Sequence, residues 1–207
     1  MAKWFRNHGL SSLFAALFIA AFFAQTVTGH FSYNSELSAH GMPRIGYFPY
    51  LSTGNFLDGM FANWQAALLQ LGCLILFGRR FREKGAPHSL RRNPKTHPSR
   101  EGRSFPWIYR NSLTLAFALL FALAFIAHLF FGARKYNENL RMIHQPPISL
   151  VHFGLGSTFW FANAQTWEAE FAAIAIYVVL SIFLRQQGSP ESKPVASSNS
   201  ATGITNE

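Results

Sequence analysis

Ser112–Phe131 reads SLTLAFALLFALAFIAHLFF, interrupted only by His128 and carrying no Asp, Glu, Lys or Arg. A helix needs about 20 predominantly apolar residues to cross a bilayer core, so this stretch predicts a membrane-spanning helix. Leu10–Val27 (LSSLFAALFIAAFFAQTV) is a second uncharged run of the same kind. Trp64–Phe77 (WQAALLQLGCLILF) and Trp167–Leu184 (WEAEFAAIAIYVVLSIFL) are shorter or polar at the front. They reach spanning length if their helices start near Phe56 and Phe159. In Leu10–Val27 and Ser112–Phe131 apolar residues run all round the helix, leaving no polar stripe for water. That weighs against four buried helices of a soluble bundle.

Composition agrees. Charged residues make up 13% of the 207, about half the roughly 25% of a soluble chain. Hydrophobic residues reach 49%, with 22 Phe. A single cysteine, Cys73, excludes an internal disulfide framework and a Cys-based zinc site. Leu10–Val27 also admits a reading as a cleaved signal peptide, with Lys3 and Arg6 as its basic end and a small-residue site near Ala24. Its apolar region is longer than the usual ~7–15 residues, and it has an internal counterpart.

That counterpart emerges when the chain is displaced by 103 residues, which aligns its halves without a gap. Trp4 falls on Trp107, Gly29 on Gly132, Tyr33-Asn34 on Tyr136-Asn137 and Leu37 on Leu140. Pro43 meets Pro146, Ile45 meets Ile148, Phe56 meets Phe159 and Trp64 meets Trp167. Matches among Phe and Ala follow from composition, whereas the Trp, Tyr-Asn, Pro and Gly matches indicate a duplication. The expected fold is therefore all-α integral membrane: four transmembrane helices arranged as two tandem helical hairpins. Each unit has an even number of crossings, so the repeats are parallel and related by an axis along the membrane normal.

The expected organisation has four parts. Residues 1–85 form the first hairpin (spans about 10–28 and 56–78), and 86–106 a basic cytoplasmic linker. Residues 107–188 form the second hairpin (spans about 112–131 and 166–184), and 189–207 a disordered cytoplasmic tail, polar and low in complexity. Between the spans lie outer loops of about 35 residues, long enough to be more than turns.

Charge sets the orientation. Fourteen Lys and Arg fall on the side of the termini and the 78–110 connector, against four on the other side. The positive-inside rule places both termini in the cytoplasm. Trp4, Trp64, Trp107 and Trp167 read as interface anchors. Clustered Lys and Arg also invite a nucleic-acid reading. Between Arg82 and Arg103, however, the connector has no Phe, Tyr or Trp, and it contains Pro87, Pro94 and Pro98. Attraction to anionic lipid headgroups is preferred, with no nucleic-acid partner.

Chemistry is sparse. Histidines 30, 40, 144 and 152 fall in the outer loops without the close spacing of a metal site. Axial haem ligands within helices are lacking, and no Ser-His-Asp set or phosphate loop is present. No catalytic, cofactor-binding or metal residue is named, and no enzyme activity is expected. Polar residues inside the spans are Gln25, Gln70, His128, Glu168 and Glu170; such groups bond across helices or line a pathway. His128 and Glu170 form the candidate intramembrane pair. Measured from the outer helix ends they lie about 6 Å and 4.5 Å deep.

Trp167-Glu168-Ala169-Glu170-Phe171, followed by an apolar helix and the run from Leu184-Arg185-Gln186-Gln187-Gly188 to Ser189-Pro190-Glu191-Ser192-Lys193-Pro194, resembles the signature end of an uncharacterised family. That family comprises small bacterial multi-pass membrane proteins and is catalogued as a domain of unknown function. The opening Trp4-Phe5-Arg6-Asn7-His8-Gly9-Leu10-Ser11 is also similar to it. In the first unit Ala67 stands where the family pattern has Glu, which Glu170 retains in the second. The resemblance implies a bacterial inner-membrane protein and no particular activity. The leading expectation is a structural or interaction role. The alternative is a small transporter or channel-like protein with a polar pathway between the repeats, for which a homo-oligomer would supply the space that four helices lack.

Overall fold

A computed structural model describes residues 2–89 and 106–203, with side chains from residue 7 onward. Most of the basic linker, and the side chain of Trp4, lie outside the described residues. Within them there are helices and no strand: α1 (Ala2–Ala39), α2 (Tyr47–Leu51), α3 (Gly54–Arg80), α4 (Trp107–Arg110), α5 (Ser112–Met142), α6 (Leu150–Leu155) and α7 (Ser157–Phe183). Four stretches are long and apolar enough to cross a membrane: Asn7–Ala39, Gly54–Arg80, Ser112–Met142 and Ser157–Phe183. Between 0% and 11% of their most apolar windows is buried within the chain. Surfaces such as Leu10, Phe14, Leu119 and Ile176, each more than half exposed, form apolar faces too large to leave in water.

The helices overrun the expected spans. α1 and α5 continue past residues 28 and 131 to Ala39 and Met142, because Pro43 and Pro146 are the first prolines beyond their apolar runs. The long outer loops expected from the sequence shrink accordingly, to residues 40–53 and 143–156. α3 and α7 begin at Gly54 and Ser157, ahead of the apolar runs. Trp64 and Trp167 therefore sit ten residues inside their helices instead of at the ends.

α1 and α5 end in the same way. Met42 N–H donates to Leu37 O and Gly41 N–H to Ser38 O. One repeat later Gln145 N–H donates to Leu140 O and His144 N–H to Arg141 O. This paired pattern is the Schellman motif, which requires a left-handed residue just past the helix. Gly41 fills that place at φ 69° and His144 at φ 60°.

The chain divides into two compact units. The first comprises Met1–Met60 and Ala127–Gly156. Its core gathers Tyr33, Leu37, Tyr50, Phe56 and Met142, with Phe22 packed against it. α2 comes so close to α1 that a side chain at Gly29 would collide with the Tyr50 hydroxyl. α6 approaches α5 in the same manner, and a Cβ at Gly132 would lie 3.1 Å from the Phe153 ring. Tyr33 packs on Tyr50 with ring centroids 5.8 Å apart, and Tyr136 on Phe153 at 5.6 Å.

The second unit comprises Phe61–Ile126 and Ser157–Glu207. Phe125 meets Phe159 edge-on at 5.5 Å. Its tail differs from the disordered segment expected. Between Gln186 and Gly203 the backbone makes consecutive turns tied down by Lys193, which is 1% exposed. Lys193 Nζ donates to the carbonyls of Ser198, Asn199 and Ala201. Burial, and the charge of Arg185 after it, push the Lys193 pKa down. Thr202 Oγ1 accepts from Gly85 N–H, and Gly203 N–H donates to Ala86 O. Composition favoured disorder, but one ammonium satisfying three carbonyls supplies the ordering that apolar burial would otherwise provide.

Candidate functional site

Three networks of polar side chains lie in and around the spans. The first joins α3 to α5 within the first unit. Asp58 places Oδ1 2.9 Å from His128 Nδ1 and accepts a hydrogen bond from Lys135 Nζ at Oδ2, also at 2.9 Å. His128 is 2% exposed and Asp58 9%. Close by, the Glu138 carboxylate accepts the Gly54 N–H at 3.0 Å and pairs with Arg134 at 2.9 Å. An anion against the first N–H of α3 suits the positive end of the helix dipole. α5 presents this set because positions 128, 135 and 138 share one helical face, with Arg134 one turn before Glu138. Two carboxylates thus meet Arg134 and Lys135, with the His128 ring set against Asp58.

The second network fills the second unit. Gln65 and Asn163 are both fully buried. Gln65 Nε2 donates to Asn163 Oδ1 at 3.1 Å, and Trp167 Nε1 donates to Gln65 Oε1 at 2.9 Å. Asn163 Nδ2 donates to the Phe159 carbonyl, one helical turn back. Trp167 therefore works as a hydrogen-bonding core residue. Deeper along α3, Gln70 Nε2 donates to the Glu170 carbonyl at 2.9 Å.

The third network locks the loops to α1 and α5. Asn34 Oδ1 accepts from Ile45 N–H at 2.8 Å while its Nδ2 donates to Ile45 O at 3.0 Å. Asn137 makes the same two bonds to Ile148, at 2.8 and 3.0 Å. Tyr50, beside this clamp, has its pKa raised by burial.

The residues singled out from sequence are distributed unevenly. His128 is buried against Asp58, which falls at the very start of the second expected span. Glu170 belongs to the second unit, where it is half-buried, and Glu168 is exposed. Gln25 and Gln70 are half-buried, and Trp107 is exposed. Asp58, Asn163 and Lys135 lie outside the apolar runs that mark their helices, and Gln65 stands at the very start of one. Asp58 was the most accessible to sequence reading, as an acid flanked by Phe56-Leu57 and Met60-Phe61. Of the histidines first placed in loops, His144 caps α5, and His152 N–H bonds the Ser149 side chain that caps α6. Among the described residues no group of three or more His, Cys, Asp or Glu is placed to hold a metal ion.

Residues 1–204 match the family described as Domain of unknown function (DUF6766). The chain belongs to this family. No curated protein and no solved structure matches it. Family membership and four membrane-length apolar helices together describe a DUF6766 protein that is multi-pass in a membrane.

Proposed function

We propose that this DUF6766 protein is a structural or interaction component of the bacterial inner membrane, built as two tandem hairpins with both termini in the cytoplasm. The observation that carries the structural role is the fully buried Gln65–Asn163 pair, closed by Trp167. Polar groups that line a pathway must offer bonds to a passing solute. These spend theirs on one another, as interhelical glue does. Support for the duplication comes from equivalent contacts 103 residues apart: the two Asn clamps, the two Schellman caps, and the Phe22–Phe56 and Phe125–Phe159 edge contacts. The orientation rests on the basic linker, which would also draw anionic headgroups. Large exposed apolar faces leave room for a homo-oligomer in the bilayer and none of these features calls for nucleic acid.

The test is complementation of a deletion strain whose growth is challenged by pH, salt and antibiotics. A Gln65→Leu/Asn163→Leu variant keeps the core filled and should restore growth as the wild type does. Loss of complementation by a stably inserted variant would overturn the structural role. The transporter reading is favoured by one observation, the ionisable Asp58–His128 contact inside membrane-length helices. It requires proton or ion flux in proteoliposomes that Asp58→Asn abolishes.

A further inference from the structure

α2 and α6, both in the first unit, are too short to cross a bilayer, yet they turn apolar side chains away from the protein. Phe48 on α2 is 80% exposed, and Val151 and Leu155 on α6 are 70% and 80% exposed. Phe48 and Val151 stand 103 residues apart, as do the inward-facing Tyr50 and Phe153. The same two-faced short helix is therefore built twice.

Depth decides what the outward faces meet. α1 runs ten residues past Gly29 to Ala39, and α5 runs ten past Gly132 to Met142, about 15 Å in each case. The chain then turns back. The Tyr47 hydroxyl donates to Thr26 Oγ1 at 2.8 Å, and Tyr50 closes on Gly29. In the second copy a Cβ at Gly154 would lie 3.0 Å from a Leu129 methyl, and Phe153 closes on Gly132. Thr26 and Leu129 belong to the uncharged runs Leu10–Val27 and Ser112–Phe131. Both short helices thus lie beside the last turns of those runs and not beyond the helix ends. Charge respects the same level. At this end of α1 and α5 the charged residues are Glu36, Arg134, Lys135, Glu138 and Arg141, all after Gly29 or Gly132. No Asp, Glu, Lys or Arg occurs from Ile45 to Leu57 or from Met142 to Trp167.

We infer that α2 and α6 are seated in the lipid leaflet in which α1 and α5 end, with Phe48, Val151 and Leu155 against the upper part of its acyl chains. Lipid is the occupant because these faces continue the apolar surface of the spans at the same depth. Helices held in this layer bury their apolar side chains at the boundary of headgroups and acyl chains. Backbone entering it must have its polar groups bonded within the protein. The Asn34 and Asn137 clamps do this for Ile45 and Ile148 as the chain returns. The inference rests on the membrane assignment and adds that both loops are lipid-bound.

Nitroxide labels test it. In a Cys73→Ala background, single cysteines are introduced by Phe48→Cys, Val151→Cys and Leu155→Cys. Leu119→Cys gives a reference within the apolar run of α5, and Ala39→Cys a reference at the end of α1. All three test positions are more than two-thirds exposed, so a label displaces no packed side chain. Each labelled full chain is reconstituted in vesicles of phosphatidylethanolamine and phosphatidylglycerol. Power-saturation electron paramagnetic resonance then compares accessibility to oxygen, which concentrates in lipid, with accessibility to a water-soluble nickel chelate. The oxygen-to-nickel ratio at 48, 151 and 155 should exceed that at 39 severalfold and approach that at 119. A ratio at 48, or at 151 and 155, no higher than at 39 would overturn the inference, while a lipid-like ratio at 119 would leave the membrane assignment standing. A label at 119 as open to nickel as the one at 39 would overturn the membrane assignment itself.

Discussion

Asp58 Oδ1 lies 2.9 Å from His128 Nδ1, joining the opening turns of α3 to the buried face of α5. The carboxylate also holds Lys135, so it serves two partners that differ in their access to water. His128 is enclosed, whereas the Lys135 side chain is 37% exposed.

Asp58→Ala is expected to destabilise the protein by about 2–3 kcal/mol. Breaking a buried ion pair costs about 3–5 kcal/mol, and the exposure of Lys135 lowers that, because its ammonium can turn to solvent. Lys135→Met should cost less than about 1 kcal/mol for the same reason. In a double-mutant cycle of Asp58→Ala with His128→Leu, read by thermal denaturation in detergent, the losses should be non-additive by at least about 0.5 kcal/mol. Additive losses would mean that the 2.9 Å contact contributes no energy.

His144→Gly should stabilise the protein. A side chain in the left-handed region costs about 1–2 kcal/mol, while glycine returns about 0.5–1 kcal/mol of that through its freer unfolded chain. The net gain is about 0.5 kcal/mol. Gly41→Ala at the equivalent cap should act in the opposite direction, with a loss of about 1 kcal/mol. Substitutions of opposite sign at two positions 103 residues apart, measured by melting temperature, make a sharp test of the paired caps.

The four spans were legible because bilayer thickness imposes a length and a composition that Ser112–Phe131 meets on its own. The helix ends were not. Both α1 and α5 continue past the ends of their apolar runs, near residues 28 and 131, through polar turns that hydropathy does not mark as helix. Asn34 and Asn137 stood out as matched residues, but their bonds to Ile45 and Ile148 cross a loop whose path the sequence does not specify. Gln65 and Asn163 face each other only once α3 and α7 have been extended back to Gly54 and Ser157. Lys193 was lost in a tail whose composition suits disorder, since its order depends on three carbonyls that converge only after folding.

Alkaline solution should loosen the first unit through Tyr50. Burial raises its pKa above the ordinary 10.0, so above that pH the unfolded chain loses the phenolic proton while the folded chain retains it. The stabilisation is complete below pH 10.0 and is lost as the pH rises through the folded-state pKa. Melting temperature measured from pH 8 to about 11 should fall less steeply for Tyr50→Phe than for the wild type. Parallel curves would show that Tyr50 titrates alike in both states.

Asn34→Ala and Asn137→Ala each remove two hydrogen bonds to a loop, but the two substitutions should differ in cost. In the first loop His30 Nε2 lies 2.9 Å from the same Ile45 carbonyl, so that acceptor keeps a partner when Asn34 is truncated. The position 103 residues later is Ala133, which has no donor to offer Ile148. Leaving a buried backbone group unsatisfied costs about 1–3 kcal/mol. Asn137→Ala should therefore destabilise the protein by about 2–3 kcal/mol, and Asn34→Ala by about 1 kcal/mol less. His30→Ala combined with Asn34→Ala should remove the difference. Urea or thermal unfolding in detergent can rank the four proteins. If Asn34→Ala proves the costlier single substitution, then His30 does not back up the clamp, and the asymmetry between the two loops lies elsewhere.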